Sequence, residues 1–508
     1  MTKVHDKTDH EKIGYFIKSL RQKRGLTQIE FAKLLGTSQS AVARMERGGQ
    51  NFTTQELSKI SNVLDYKIIS LKDSVDFRVT GGRELSGSID TNTSKNGAMA
   101  LIASALLNKG KTTLHNIPKI EEVNRIIEVL LSIGVSIKWQ TGNTLVIQTP
   151  KRFAMGKIDV QAAVKTRSVL MFIGALIHHL KGFNIPNAGG CKMGNRTIAA
   201  HRYALEDLGV SIITEDSQYK ISYEKLSPAE IVMYEAGDTA VINAIIAAAG
   251  IKGKTKIYFA SSNYQVQEAC FFFEKLGVKI EGIGTSTLII NGNGEINQDV
   301  EYFCSEDPIE SMMFIAAAIV TKSKLKITRC PIDFIKLELY RLKKMGLKFD
   351  LSKEYLSLNE KTKLVDVTIH KSKLVAPVDK IHALPYPGIN SDNLPFFVTI
   401  ATQAEGQTLI HDWMWENRAI YFTELNRLGA QVNLLDPHRV LVNGPTELRP
   451  AQVVCPPALR PAMIILMAML GAKGTSVLRN VYTIERGYEE IAERLNKIGA
   501  DIEVIKGV

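Results

Sequence analysis

Ala240-Val241-Ile242-Asn243-Ala244-Ile245-Ile246-Ala247-Ala248-Ala249, then Gly253-Lys254-Thr255-Lys256-Ile257, then Phe273-Glu274-Lys275-Leu276-Gly277-Val278, is the stretch that decides the fold. A helix that is apolar on nearly every side has no face to give to water and must be buried all round. The hydrophilic turn and strand that follow it, and the helix closed by a Leu-Gly pair, belong outside that interior. Glycine suits the closing position because it takes the left-handed conformation at little cost.

The same order recurs through the chain. Apolar runs with a turn and strand occur at Ala98 to Leu107, Met312 to Val320, Leu394 to Ala401 and Ala462 to Leu470, and Arg167 to Leu180 completes the set of six. Closing pairs stand at Ile133-Gly134, Leu208-Gly209, Leu276-Gly277, Met345-Gly346, Leu428-Gly429 and Ile498-Gly499. A spacing of roughly 70 residues is longer than that of solenoid repeats, so six such units predict globules with helical interiors.

Composition sets the class. With 508 residues, 45% hydrophobic and 23% charged, the chain is expected to be a soluble protein of several domains. The polar start and the shortness of the apolar runs predict no signal peptide and no membrane span. Five scattered cysteines fit a reducing compartment, so a cytoplasmic location is expected, and no clustered Cys or His suggests a metal or other cofactor. The net charge of +11 is uneven: residues 1–72 hold 13 Lys and Arg against 7 Asp and Glu. That excess points to an anionic partner for the first segment, nucleic acid foremost.

Within that segment Thr27-Gln28-Ile29-Glu30 has the form of a capping box, and Gly36 closes the short helix it starts. A second helix follows from Ser38, with a polar first turn and Val42 and Met45 facing inward. This is helix-turn-helix geometry, in which Gln28, Ser38, Gln39, Ser40 and Arg44 are the side chains placed to contact DNA. The run Arg24-Gly25-Leu26-Thr27-Gln28 through Arg47-Gly48 resembles the phage-repressor (Cro, XRE-like) DNA-binding family. The resemblance implies an all-α module over 1–72, double-stranded DNA as a partner, and a dimer as a compatible state.

The mouths of the buried helices carry charge: Ser94-Lys95-Asn96, Lys165-Thr166-Arg167, Gly237-Asp238-Thr239, Glu306-Asp307, Ser391-Asp392-Asn393 and Arg460. Helix N-termini favour anions, so mouths that face one another would line a cleft for phosphates and carboxylates. Asp238, Thr239 and Arg460 read more simply as helix caps. The loop Gly189-Gly190-Cys191-Lys192-Met193-Gly194-Asn195-Arg196 adds a thiol beside two cations, a setting that lowers a cysteine pKa.

Lys95-Asn96, the cysteine loop and the six-fold repeat together resemble the UDP-N-acetylglucosamine 1-carboxyvinyltransferases, a family of enolpyruvyl transferases. The resemblance implies an α/β fold of two inverse α/β-prism domains built of six repeats. One would be discontinuous, 75–91 and 300–508; the other would span 92–299 and carry the cysteine loop. It implies phosphoenolpyruvate and a UDP-sugar as substrates, phosphate as product, and a role in peptidoglycan precursor synthesis. By the same match Lys95, Arg167, Arg196 and Arg418 hold phosphate and carboxylate, and Asn96 contacts substrate. Asp307 is the base for the sugar hydroxyl, Cys191 the proton donor, and Asp392 handles protons and loop closure. Arg486 falls in a C-terminal signature and reads as structural.

The chain departs from the family after Arg196. Where Pro-Val-Asp-Leu-His is usual, it has Thr197-Ile198-Ala199-Ala200-His201. Thr197, Ala199 and His201 therefore stand at the nucleotide end, and the missing aspartate removes an acceptor for uracil. This motivates a different nucleotide or sugar-nucleotide acceptor as the alternative. A reading of another class is a DNA-binding regulator that uses the transferase fold as a ligand sensor; it leaves Cys191, Asp307 and Asp392 without a purpose.

Overall fold

The computed structural model describes residues 9–24, 26–64, 75–189 and 197–506. Residues 190–196, and with them Cys191 and Arg196, lie outside the described residues. The chain divides into two compact units, the second running from Val75 to Ile505.

The first unit is all helical: α1 (Asp9–Lys23), α2 (Gln28–Leu35), α3 (Gln39–Glu46) and α4 (Thr54–Val63). The predicted capping box is present, with Glu30 N–H donating to the Thr27 hydroxyl at 3.2 Å and Thr27 N–H to the Glu30 carboxylate at 2.7 Å. Gly36 ends α2 at φ +66°, and Ser38 caps α3. Ile17, Phe31, Val42, Ile60 and Leu64 form the core.

The second unit is α/β. Its helices are α5 (Lys95–Ala105), α6 (Glu121–Ser132), α7 (Val160–Ala163), α8 (Phe172–Leu176), α9 (Ala199–Glu206), α10 (Asp238–Ala249) and α11 (Tyr264–Lys275) in one lobe. The other lobe holds α12 (Pro308–Val320), α13 (Lys336–Lys344), α14 (Leu394–Ala401), α15 (Leu459–Gly471), α16 (Tyr482–Glu485) and α17 (Ile491–Lys497). One hydrophobic core runs from Ala98 to Cys304, the other joins Phe77–Ile89 to Ile309–Ile502. We call the second of these lobe I and the first lobe II.

All six closing glycines adopt positive φ, from +80° at Gly277 to +101° at Gly346. The six apolar runs are buried as their composition requires: every residue from Ala240 to Ala249 is buried, as is every residue of α12. The run after Arg167 differs, being a short 3-10 turn followed by α8. Its Gly174 lies so close to α10 that a Cβ there would meet the Asn243 carbonyl oxygen at 2.4 Å.

Six small sheets wrap these helices. In lobe II, Gly253–Tyr258 pairs antiparallel with Thr287–Gly292 and parallel with Glu230–Val232. Lys111–His115 does the same with Thr144–Gln148 and with Val300–Phe303, so the last strand of this lobe lies beyond position 300. In lobe I, Gly474–Arg479 pairs antiparallel with Val75–Gly81 and parallel with Gln452–Val454. The charged residues expected at the helix mouths stand at the N-terminal ends of these buried helices.

Candidate active site

Five of these six mouths, all but Glu306-Asp307, line a cleft of about 720 Å³ within the second unit. Lys95 and Asn96 begin α5, behind the Ser94 hydroxyl that caps it by accepting Gly97 N–H at 3.0 Å. Asn96 Nδ2 donates to the Tyr264 hydroxyl at 2.9 Å; Tyr264 follows lobe II helices in sequence yet is buried in the core of lobe I.

Opposite them, Arg460 enters from the start of α15. Its Nε and Nη2 donate to Asp392 Oδ2 at 3.2 and 3.0 Å, and its Nη1 to the Tyr488 hydroxyl at 2.6 Å, with the guanidinium 5.3 Å above that ring. Burial alone would lower the Arg460 pKa, but Tyr488, Asp392 and Asp307 raise it, so it stays a cation. The same pairing works in reverse on Asp392. Burial would raise its carboxyl, and the Arg460 and Arg418 guanidiniums hold it below the usual range.

Arg418 lines the cleft but is 1% exposed, and its fork is already committed. Nε and Nη2 grip Asp412 at 2.5 and 2.8 Å, and Nη2 also donates to the Ser391 carbonyl at 2.7 Å. It therefore fixes the Ser391-Asp392 turn from behind. Arg167 is half-buried and donates to the Thr197 carbonyl at 2.5 Å. Burial lowers its pKa, against the pull of Tyr219 and Glu235.

Asp307 and Asp392 part company here. Asp307 caps α12, its Oδ1 accepting Ile309 N–H at 2.8 Å, and it is buried behind the cleft wall. Burial pushes its carboxyl up to about 6, Arg460 opposing and Glu310 and Asp392 adding to the rise. Asp392 is the one that faces the cleft. Asp307, expected as the base for the sugar hydroxyl, thus has Oδ1 engaged as the cap of α12, and it is not among the residues that line the cleft.

At the start of α9 Thr197 is exposed, and its hydroxyl accepts Ala199 N–H at 3.2 Å. His201 is buried between Thr239 Oγ1 at 3.2 Å and Asn243 Nδ2 at 3.1 Å. Asn243 Oδ1 accepts Gly174 N–H, so its Nδ2 is the donor toward His201 Nδ1. With Nδ1 facing the Asn243 amide, Nε2 is the nitrogen that faces the Thr239 hydroxyl.

Three readings of helix mouths as caps do not hold. Arg460 is the ion-pair partner described above, and Thr239 binds His201. The carboxylate of Asp238 gathers the turn before α11, accepting from Ser261 Oγ at 2.5 Å, Asn263 Nδ2 at 3.1 Å and Gln265 Nε2 at 2.5 Å. Arg486, read as structural, lines the cleft and donates from Nη2 to Glu122 at 2.7 Å. Glu122 had no signal in sequence; Arg460 had one, as the only charge in an otherwise apolar helix.

Cys270, Cys304, Cys330 and Cys455 are buried, and burial raises every one of these thiols, Cys330 and Cys455 to about 12. None of the four can serve as a thiolate near neutral pH. Among the described residues there is no group of His, Cys, Asp and Glu fit to hold a metal, and no helix is long and apolar enough to cross a membrane.

In the first unit Ser38, Gln39, Ser40 and Arg44 are exposed along the start and outer face of α3. Gln39 Nε2 donates to Gln28 Oε1 at 2.9 Å, and Gln28 Nε2 to Glu46 at 2.8 Å, so both glutamines are held in one orientation. Glu46 is itself anchored by the buried Arg21 guanidinium, which donates from Nη2 at 3.1 Å.

Comparison with known proteins agrees with this architecture. The EPSP synthase (3-phosphoshikimate 1-carboxyvinyltransferase) family model matches residues 79–495, and a helix-turn-helix model matches residues 17–71. UDP-N-acetylglucosamine 1-carboxyvinyltransferase from Bradyrhizobium diazoefficiens is 34% identical over 84% of this chain and 98% of its own length. The protein of the same name from Treponema denticola is 35% identical over 84% and 99%. Among solved structures, the enolpyruvyl transferase NikO from Streptomyces tendae shares the fold, with a TM-score of 0.73 at 23% identity over 86% of this chain and all of that one. EPSP synthase from Acinetobacter baumannii does so at 0.65 and 16% identity, over 85% of this chain and all of its own. From Val79 to Leu495 the chain belongs to the enolpyruvyl (1-carboxyvinyl) transferase family, and a helix-turn-helix domain precedes that region.

Proposed function

We propose that the protein transfers the enolpyruvyl group of phosphoenolpyruvate to the 3-hydroxyl of UDP-N-acetylglucosamine, releasing phosphate, as a cytoplasmic enzyme at the first committed step of peptidoglycan precursor synthesis. The observation that carries it is the Arg460–Asp392 pair opening on the cleft opposite Lys95 and Asn96. Lys95, Arg167, Arg196, Arg460 and Arg486 supply cations for a substrate with one carboxylate and one phosphate. Asp392, ionised and facing the cleft, takes the proton of the acceptor hydroxyl as its oxygen adds to C2. Cys191 delivers a proton to C3. The tetrahedral adduct then loses that C3 proton as the C2–O bond to phosphate breaks, which restores the double bond. Arg418 and Asp307 act from behind, holding Asp392 and Arg460.

Phosphate release from phosphoenolpyruvate with UDP-N-acetylglucosamine, for the wild type and Cys191→Ala, tests this reading. Release by the wild type that falls by about 10²-fold or more in the variant supports it. Release that persists in Cys191→Ala removes the cysteine from the chemistry.

A second reading, another nucleotide or sugar nucleotide as acceptor, is favoured by one observation: Ala199 stands where the family has its uracil-binding aspartate. Turnover compared across UDP-sugars and free nucleotides separates the two. For the first unit we propose double-stranded DNA as the partner, supported by the exposed start of α3 and the ordered Gln28–Gln39 pair. Gln39→Ala should then relax sequence preference by about 1–3 kcal/mol, while Arg44→Ala lowers the salt dependence of binding by about one phosphate contact. Equal affinity of wild type and both variants for duplex DNA would count against it.

A further inference from the structure

Glu122, the second residue of α6, plays no part in the chemistry above, yet it is 5% exposed and lies on the cleft wall. Its Oε1 accepts the Thr166 hydroxyl at 2.6 Å, and its Oε2 accepts Arg486 Nη2 at 2.7 Å. Its own N–H donates to the Arg486 carbonyl at 3.4 Å. Arg486 comes from lobe I, just after α16, whereas Glu122 and Thr166 belong to lobe II. The Thr166 hydroxyl in turn receives Ser168 N–H at 3.2 Å, which shapes the turn that presents Arg167. Lys95 completes the surroundings: burial would raise the Glu122 carboxyl, and Lys95, Arg486 and Thr166 hold it below its usual range.

A carboxylate among cations could act on an incoming anion in two opposite ways. It could compete for the cations, so that its loss would tighten anion binding. Or it could set their positions, so that its loss would weaken binding. Glu122 is bonded on both oxygens, one of them to the Arg486 guanidinium, so geometry is what its removal takes away.

We propose that Glu122 is a positioning residue for phosphoenolpyruvate: it holds Arg486 of lobe I and the Thr166-Arg167 turn of lobe II as one anion-binding constellation that shares the cleft wall with Lys95. Substrate binding is thereby coupled to the apposition of the two lobes. The proposal rests on the transferase reading, in which those cations take the phosphate and carboxylate.

The test is Glu122→Gln, with phosphoenolpyruvate titrated directly into the full chain and its KM taken from phosphate release with the acceptor the wild type uses. Loss of a charge-assisted bond predicts weaker phosphoenolpyruvate binding and a KM raised about tenfold or more, with the acceptor KM within about twofold. Glu122→Asp keeps the charge but is too short to reach both Thr166 and Arg486, so an intermediate rise is expected. It also carries the test if Glu122→Gln does not fold. Glu489→Ala removes a nearby bond between the lobes, from Asn143 Nδ2 at 3.1 Å, and should leave the phosphoenolpyruvate KM unchanged. Unchanged or tighter phosphoenolpyruvate binding in the Glu122 variants, or an equal rise in both KM values, overturns the proposal. A wild type that binds no phosphoenolpyruvate breaks the transferase reading instead.

Discussion

The two ends of the cleft are built on different principles. At the cationic end, Arg460, Asp392, Arg418, Asp412, Glu122 and Arg486 are buried or half-buried, and the pairs Arg460–Asp392 and Arg486–Glu122 join segments far apart in sequence. At the end formed by the start of α9, Thr197 is exposed, Ala199 has no polar side chain, and both His201 ring nitrogens meet partners in its own lobe. Removing one member of a buried ion pair strands the other in a poorly solvated site, so the first end tolerates little change. Thr197 and Ala199 at the second end can be rewritten singly, because the Thr197 hydroxyl serves its own helix start and Ala199 has no polar side chain, whereas His201 is tied to Thr239 and Asn243. In the proposed reading, the chemistry is anchored where substitution is costly and acceptor choice lies where it is cheap.

Arg460→Ala is the strongest attempt to break that contrast. It leaves Tyr488 without its cation and Asp392 with only the more distant Arg418, and should cost about 3–5 kcal/mol of stability as well as turnover. Denaturant unfolding of this variant beside Thr197→Ala checks it; equal stability of the two would erase the distinction between the ends.

A smaller effect concerns Asp307, whose folded pKa of about 6 stands above its ordinary value of 3.8. A raised carboxyl pKa means that the folded state holds the proton more tightly, so its contribution to stability falls as pH rises from about 4 through 6. Asp307→Asn, which can keep the cap, should therefore gain on the wild type over that window, by up to about 3 kcal/mol. Thermal unfolding of both proteins at pH 4.5 and 7 measures it. A difference that does not grow with pH would mean that Asp307 is already ionised throughout.

The least effect is expected from Ala199→Asp at the nucleotide end. It returns an acceptor for uracil to the first residue of α9, where the helix dipole also favours a carboxylate. The KM for UDP-N-acetylglucosamine should fall several-fold, in line with about 1 kcal/mol for one hydrogen bond. An unchanged KM would mean that uracil is not read at this position.

What could be read in the chain, and what could not, divides along the same line. Lys95-Asn96 and Arg167 were legible because they stand beside the starts of apolar helices, and the closing glycines because their conformation is a property of one residue. Which of two helix-mouth carboxylates faces the cleft was not legible. Asp307 and Asp392 sit in similar contexts, and only the packing of α12 turns the first into its own helix cap. Arg460 and Glu122 were missed for a related reason: their partners lie 68 and 364 residues away.

By itself the sequence determined the elements, the six-fold order of buried helix and strand, and the capped helix-turn-helix, since those depend on apolar periodicity and local backbone preference. Only the tertiary structure decided which charges meet across the cleft. An ion pair in a buried wall depends on distances of about 3 Å between segments that the chain itself keeps far apart.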